Sequence, residues 1–340
     1  MHRLQQSNLM IQAGDPLIDR YGRMQAYLRI AVTDRCNLSC LYCRPDERMP
    51  WRNRDDILSF EEIHRIAGIF TAMGIRKIRL TGGEPTTRRE LVSLITRLAA
   101  LGLQTLAMTT NGMLLHELAP SLRAAGLSAL NISLDTLQAE RFTAITRHNR
   151  LSDVLAGIQA ALEAGFRPVK VNTVIMAGVN DDELLDFVEF VRFRPINIRF
   201  IEYMPFKENS WSPHRFISAS EMRERISARY SLHPQAAVDR TAVAENYLLD
   251  GFLGTVSFIT PLSNTFCERC SRLRLTADGS IKSCLFHPAE VNVRQAMRAG
   301  AADDELAALI RAAVMTKPKA HPPAAELATA NHRCMSDIGG

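Results

Sequence analysis

"YLRIAVTDRCNLSCLYC", residues 27–43, carries a short β-rich run directly into three cysteines spaced within eight positions. The reading of this stretch decides the fold. A structural zinc site closes its tetrahedron with four protein ligands, usually paired Cys-x-x-Cys arms. Cys36, Cys40 and Cys43 have no fourth Cys or His close by, the next histidine being His64. Three thiolates on one loop suit three corners of a cubane iron–sulfur cluster and leave the fourth iron free for a ligand. The competing reading is a zinc knuckle completed from elsewhere. A triad just after a first strand sits at the C-terminal mouth of a parallel sheet, where α/β folds place their active sites.

Working outward, β-rich runs recur at 27–33, 75–80, 103–110, 127–134, 167–176 and 196–204. Segments with helical spacing lie between them at 59–73, 88–101, 114–125, 151–164 and 181–193. "SFEE" (59–62) has the form of a capping box, and "NDDE" (180–183) suits a helix start. The alternation predicts a parallel α/β sheet, open or curled into a barrel, with six strands rather than the eight of a closed barrel. After about residue 205 the pattern fails, and short runs at 250–260, 271–280 and 281–286, joined by an Asp-Gly turn, predict a smaller α+β unit. Residues 316–330, rich in Pro and Ala, read as an irregular crossing. The domain reading is a mobile arm at 1–24, a partial barrel at 25–205 and a C-terminal domain at 206–340.

The 340 residues are 46% hydrophobic and 23% charged, which is globular composition. No stretch approaches the roughly 18 uncharged apolar residues of a membrane span, and the first residues lack the apolar core of a secretory signal. A reducing, cytoplasmic setting is expected, in which clustered thiols are ligands rather than disulfides. The net charge of +5 fits an anionic small molecule as readily as nucleic acid, and no Lys/Arg block marks a nucleic-acid tail.

A second trio, Cys267, Cys270 and Cys284, again lacks an evident fourth partner. It reads either as a second cubane with a vacant iron or, with His287, as a Cys3His zinc site. Cys334 reads as an incidental thiol. The strands also carry unexpected charge. Lys77 and Arg79 alternate on one strand, as do Lys170 with Asn172, Asn197 with Arg199, and Arg272 with Arg274; Arg29 interrupts the first strand. Alternate residues share a face, so the pattern predicts a cationic interior cavity. Glu202 is the main acidic residue on these strands. A triphosphate would supply the missing negative charge, yet no Gly-x4-Gly-Lys-Ser/Thr loop is present.

Cys-x3-Cys-x2-Cys with Tyr42 before the last Cys, followed one strand later by "TGGEP" (81–85), resembles the radical S-adenosylmethionine (SAM) superfamily. With "KIRLTGGEPTTR", "TTNG", "NISLDTL", "KVNTVIMAGVNDDE", "RFIEYMP", "FCERCSRLRLTADG", "CLF" and "IGG", the likeness to the GTP 3′,8-cyclase family runs from about Asp19 to Gly340. The resemblance implies an incomplete (β/α)6 TIM-type barrel whose open side is closed by a smaller C-terminal α+β domain. It implies two 4Fe–4S clusters, at Cys36, Cys40 and Cys43 and at Cys267, Cys270 and Cys284. Tyr42, Gly83, Ser133 and Met204 would contact SAM, Gly83 because a residue without Cβ allows close approach. Arg29, Arg79, Thr109, Lys170, Arg272 and Arg274 would contact GTP, with Lys77 and Arg199 near the phosphates. Gly339 and Gly340 would reach into the active site beside Arg272 and Arg274. Taken alone, Ser133 reads as a strand-end hydroxyl, Met204 as core packing and the terminal glycines as a frayed tail. Departures from the family pattern are Arg44 after the third Cys, Thr86–Thr87 after Gly-Gly-Glu-Pro, and the loop "FKENSW" (206–211).

The implied reaction is cyclisation of GTP to 3′,8-cyclo-7,8-dihydro-GTP, the first step of molybdenum cofactor biosynthesis. The 5′-deoxyadenosyl radical removes hydrogen from C3′, and C3′ then attacks C8 of guanine, which the second cluster holds. The implied partners are an external electron donor and the next-step cyclic pyranopterin synthase; a homodimer is allowed. The rival readings are a peptide-modifying radical SAM enzyme with an auxiliary cluster and a zinc-stabilised nucleotide-binding regulator.

Overall fold

A computed structural model of the chain describes residues 15–236, 242–288, 291–330 and 333–339. The expected alternation is realised as β1 (Tyr27–Ala31), α1 (Phe60–Ala72), β2 (Lys77–Thr81), α2 (Leu91–Ala99), β3 (Thr105–Thr110), α3 (Leu115–Ala124), β4 (Ala129–Ser133), α4 (Ala139–Thr146), α5 (Leu151–Glu163), β5 (Val169–Ile175), α6 (Leu184–Phe190) and β6 (Ile196–Glu202). These six strands pair in parallel and in sequence order. Helix α1 begins where the capping box predicts. Glu62 N–H donates to Ser59 Oγ at 3.1 Å, and Ser59 N–H donates back to the Glu62 carboxylate at 2.7 Å. Asn180 caps nothing: its side chain is buried and bonds the backbone of Met176, Asp135 and Val174.

The C-terminal part contributes α7 (Ala219–Ser227), β7 (Leu232–Gln235), β8 (Ala244–Leu249), β9 (Thr255–Ile259), β10 (Arg272–Leu275), β11 (Ser280–Lys282), β12 (Val291–Asn292), α8 (Val293–Arg298), α9 (Asp303–Met315), α10 (Ala324–Thr329) and α11 (Met335–Ile338). Its strands do not form a sheet of their own. β9 joins β6 in parallel and β10 joins β1 in parallel, so the parallel run is β10-β1-β2-β3-β4-β5-β6-β9. Antiparallel β8 and β7 finish one edge, and β11 and β12 the other. The incomplete barrel is therefore extended at both open edges by one C-terminal region.

Two sequence expectations need correction here. Residues 15–24 do not behave as a mobile arm: Leu17 and Asp19 are buried, and Gln25 N–H donates to Leu17 O at 2.7 Å. Residues 1–14 of that arm lie outside the described residues. The segment 316–330 is not wholly irregular, since it includes α10.

Registry fixes which residue faces which side. Leu28, Ile78, Leu106, Leu130, Val171 and Ile198 turn outward into the main core with the helices. Each such side chain contributes on the order of 2 kcal/mol by leaving water. The intervening residues turn inward and many are polar, among them Arg29, Arg79, Thr109, Asn131, Lys170 and Arg199. Central parallel strands are normally apolar on both faces; here the alternation persists because the inner face lines a chamber. Among the described residues, no helix is long and apolar enough to cross a membrane.

Candidate active site

The first cysteine loop leaves the C-terminal end of β1 and is fixed by backbone contacts rather than by its own packing. Ser39 and Leu41 N–H groups donate to the carbonyls of Thr146 and Ile145 at the end of α4. Arg147, at φ 63°, then donates to the carbonyls of Ser39 (3.1 Å), Arg44 (3.1 Å) and Pro45 (2.8 Å). Tyr42 donates its hydroxyl to Asp135 Oδ2 at 2.6 Å, while Asp135 Oδ1 accepts Val174 N–H at 2.8 Å. Asp135 and Arg147 escaped the sequence reading. The Asp135 of "NISLDTL" follows a strand end, and only its placement opposite Tyr42 reveals its use.

All seven cysteines are free. Burial raises the Cys36 thiol to about 11, with Glu84 adding to the effect. Burial, then Cys43 and Asp135, raise Cys40 well above its ordinary value, and burial with Cys36 raises Cys43 too. Three neutral thiols thus share one buried spot, and metal binding would expel their protons. Among the described residues, no three His, Cys, Asp or Glu groups close around a single metal ion.

The "GGEP" loop packs directly on the cysteine loop. A Cβ on Gly83 would lie 2.3 Å from Arg35 O and 2.5 Å from Asp34 O. This chain's own close backbone packing requires a glycine here. Buried Glu84 accepts from Thr86 N–H (3.0 Å), Thr86 Oγ1 (2.6 Å), Thr110 Oγ1 (2.7 Å) and Asn111 N–H (2.6 Å). It ties the end of β2 to the end of β3. The Thr86 departure therefore has a use: its hydroxyl is one of the four donors.

Below these loops the inner face is cationic. Tyr27, Lys77 and Arg272 are in register, as are Arg29, Arg79 and Arg274; Thr109 lines up with Asn131, which lines up with Lys170 and Asn197. Ser133, Asn172 and Arg199 form the next rung. Arg79 donates to Tyr27 OH at 2.5 Å and to Thr109 Oγ1 at 3.3 Å, and Arg199 donates to Asn197 Oδ1 at 2.6 Å. Burial lowers Lys170 to about 7, with Arg199, Arg79 and Lys77 adding to the effect. Burial would raise Tyr27, yet Arg79, Arg29 and Lys77 together lower it to about 7. Tyr27, also missed in the sequence, is an acid among cations. Glu202 does not neutralise this face. It points to the opposite side and accepts the N–H groups of Ala219, Leu262 and Ser263, which ties β6 to α7 and the next loop.

The second trio lies at the other mouth. Cys270 precedes β10, and Cys284 follows the antiparallel β11, so both stand at the N-terminal end of the β1 axis. A five-residue strand is roughly 16 Å long, a span that one nucleotide can bridge. Cys270 would be raised by burial, but Arg272 and Lys317 lower it to about 7. The Arg272 guanidinium lies 4.5 Å over the Phe266 ring. Met204 packs with Phe206, Phe286, Cys284 and Ile338 in a small second core.

Between the mouths comes the chain's own end. Gly339 O accepts Arg274 Nη1 at 2.7 Å. A Cβ on Gly339, at φ 74°, would meet Thr81 Oγ1 at 2.6 Å and Ala31 Cβ at 2.8 Å. The tail is thus inserted at the tops of β1 and β2, not frayed; Gly340 lies outside the described residues. Cys334 is buried against Met49, with Sγ to Sδ at 3.8 Å.

Comparison with known proteins agrees. A model of the radical SAM superfamily matches residues 30–191, and one of the molybdenum cofactor synthesis C family matches 196–323. The chain is 46% identical over 96% of its length to "GTP 3′,8-cyclase, mitochondrial" of Arabidopsis thaliana, covering 84% of that protein. It is 47% identical over 95% of its length to GTP 3′,8-cyclase of Moorella thermoacetica, covering 99% of that protein. Among solved structures, Streptococcus suis SuiB bound to S-adenosylmethionine superposes with a TM-score of 0.57 at 15% identity, covering 81% of this chain and 65% of that one; this likeness concerns the fold. A triad of free thiols on a parallel barrel, with matching relatives along nearly the whole chain, leaves one conclusion: this chain belongs to the GTP 3′,8-cyclase family of radical SAM enzymes.

Proposed function

We propose that GTP cyclisation in molybdenum cofactor biosynthesis runs here between two 4Fe–4S clusters, one on Cys36, Cys40 and Cys43 and one on Cys267, Cys270 and Cys284. The observation that carries this reading is the inner face itself. Seven cations (Arg29, Lys77, Arg79, Lys170, Arg199, Arg272 and Arg274) lie between two trios of free cysteines at opposite mouths. No carboxylate shares that face among the described strand residues. Both thiol sets fit the group assigned to them: each trio is free and partly buried, with sulfurs close enough to bear on one another.

Cys36, Cys40 and Cys43 would hold the first cluster, which when bound would supply the one-electron reduction that activates SAM for hydrogen abstraction. The protein's part is positioning. Tyr42, Gly83, Ser133 and Met204 hold SAM at the C-terminal mouth. Lys77, Lys170 and Arg199 grip the triphosphate, while Arg29, Arg79 and Thr109 align the ribose so that C3′ faces the radical. The C3′ hydrogen would pass to C5′ of SAM, C3′ would bond to C8 of guanine, and a second electron from the external donor with one proton would complete the ring. Arg272 and Arg274, braced by the Gly339 carbonyl, steady the guanine during closure. The buried chamber excludes water that could divert a carbon radical. An external one-electron donor serves the first cluster, and cyclic pyranopterin synthase takes the product. A cytoplasmic reaction is consistent with free thiols, although the Arabidopsis relative is named mitochondrial.

Anaerobic reconstitution with iron and sulfide assays tests this reading. Cys36→Ser should abolish SAM cleavage. Cys267→Ser should keep uncoupled cleavage and lose cyclisation, and a cyclising Cys267→Ser enzyme would refute the second cluster's role.

A further inference from the structure

The cyclisation scheme leaves Lys317 without a role, yet this lysine is among the most buried charged groups in the molecule, at 2% exposure. A lysine is kept inside a protein only by dedicated partners. Its Nζ donates to Gln25 Oε1 and to the Arg272 carbonyl, both at 2.7 Å, which sets the ammonium two residues along the chain from Cys270, where its charge bears on the sulfur. Gln25 is fully buried and is itself fixed through Asp19 Oδ2 at 3.2 Å and the Arg23 carbonyl at 2.9 Å.

Lys317 opens the segment "KPKAH" (317–321), which wraps the second cysteine site. The His321 backbone bears on Cys267, and its ring bonds Pro261 O at 2.9 Å. Arg23 clasps the wrap: its guanidinium donates to the carbonyls of Cys267 (2.7 Å), Pro318 (2.7 Å) and Lys319 (2.8 Å) and pairs with Asp19 at 2.6 Å. The ordered hairpin at 17–25 thus exists to hold a cation and the wrap beside two sulfurs.

We propose that Lys317 is a positioning and tuning residue for the second cluster, its ammonium placing positive charge beside the Cys270 sulfur and stabilising the reduced form of the cage. The proposal rests on the two-cluster reading. A cation beside the sulfur favours the state with one more negative charge, so it raises the reduction potential. Removing it makes the cluster harder to reduce.

The test is an EPR-monitored redox titration of the anaerobically reconstituted full chain, with iron counted at each site. In Lys317→Met, the second cluster should reduce about tenfold less readily, a negative shift of about 59 mV for a one-electron couple. The first cluster should stay where it is, and Lys317→Arg should retain most of the wild-type potential. A Lys317→Met protein with full iron and an unmoved second potential overturns the proposal. Should Lys317→Met lose second-site iron, Gln25→Leu carries the test, because it keeps the ammonium and removes one anchor. A smaller negative shift there supports the role, and no shift overturns it. If the wild type loads iron at one site only and Cys267→Ser loses none, the two-cluster reading has failed and takes this proposal with it.

Discussion

The two cysteine sites use the same three ligands in opposite electrostatic surroundings. Around the first trio stand carboxylates: Glu84 bears on Cys36, Asp135 on Cys40 and Asp337 on Cys43. Around the second stand cations: Arg272 and Lys317 bear on Cys270, and Arg23 on Cys267. Negative neighbours destabilise added electrons and hold a cluster at low potential, and positive neighbours do the reverse. On the two-cluster proposal, the first site would thereby suit electron transfer to SAM and the second a place beside an anionic nucleotide. Chemical difference between identical ligand sets comes from what lies behind the sulfurs.

The hardest way to break the contrast is at Glu84. In Glu84→Gln, an amide N–H2 would face the Asn111 N–H, leaving buried donors unmatched. A loss of about 4 kcal/mol follows, since breaking a buried charged network costs several kcal/mol. Chemical denaturation of the metal-free protein should show it, with iron lost from the first site and kept at the second. Equal loss at both sites would mean that the carboxylate supports the whole barrel and not the first loop.

Asp135 gives the next largest effect. Burial raises its carboxyl from the usual 3.8 to about 6, against the pull of the Tyr42 and Val174 hydrogen bonds. Because the folded value lies above the unfolded one, the native state keeps a proton that the unfolded chain releases between pH 3.8 and 6. Stability from this group therefore falls as pH rises through that window, by about 2 kcal/mol. Urea titrations of metal-free protein at pH 4.5 and 7 should show that slope, and Asp135→Asn should lack it. Tyr42→Phe should steepen it, because the hydroxyl is a group that holds the carboxyl down. An unchanged slope in Asp135→Asn would dismiss the assignment.

These residues also mark where the sequence stops being legible. The strands, the two trios and the alternating cations can be read directly, because each is a local pattern with a period of two or a fixed spacing. What cannot be read is whatever depends on return contacts. β9 and β10 are short runs that resemble any hairpin strand, and only the two open edges of β6 and β1 make them part of the parallel sheet. Lys317 looks like a solvated lysine before a proline until Gln25, nearly 300 residues earlier, is seen to receive it. Glu202 looks like a counter-ion for the arginines, but strand parity turns it to the other face, where backbone amides claim it. Gly83 looks like a glycine kept for ligand approach, and only the return of the cysteine loop shows that Arg35 O also demands it.

Arg147 sharpens the comparison at lower cost. It holds the first loop from outside through three carbonyls, the counterpart of Arg23 and its three carbonyls at the second site. Arg147→Ala should lose about 1.5 kcal/mol in denaturation and weaken iron loading at the first site alone. Its left-handed φ of 63° adds a second handle. Arg147→Gly removes the same hydrogen bonds yet relieves strain of about 1 kcal/mol, so it should be the more stable of the two variants. If alanine and glycine behave alike, the strain is absent.

The gentlest test concerns the chamber between the two sites. Lys170, lowered to about 7 by burial and then by Arg199, Arg79 and Lys77, is mostly neutral at pH 7.5. A triphosphate brings negative charge against it and raises its affinity for a proton, so GTP binding should take up a fraction of a proton, roughly 0.7 at most from this group. Tyr27, lowered to about 7 by the same cations in spite of burial, would add uptake of the same sign. Calorimetry of GTP binding to SAM-free protein, in buffers of different ionisation enthalpy, reads the proton count directly. Uptake should shrink toward pH 6, where Lys170 is already charged, and should fall in Lys170→Met at pH 7.5. Proton release on binding, or an identical count in the methionine variant, would mean that the triphosphate lies away from the inner-face lysine, and the contrast between the two mouths would then need another explanation than a nucleotide stretched between them.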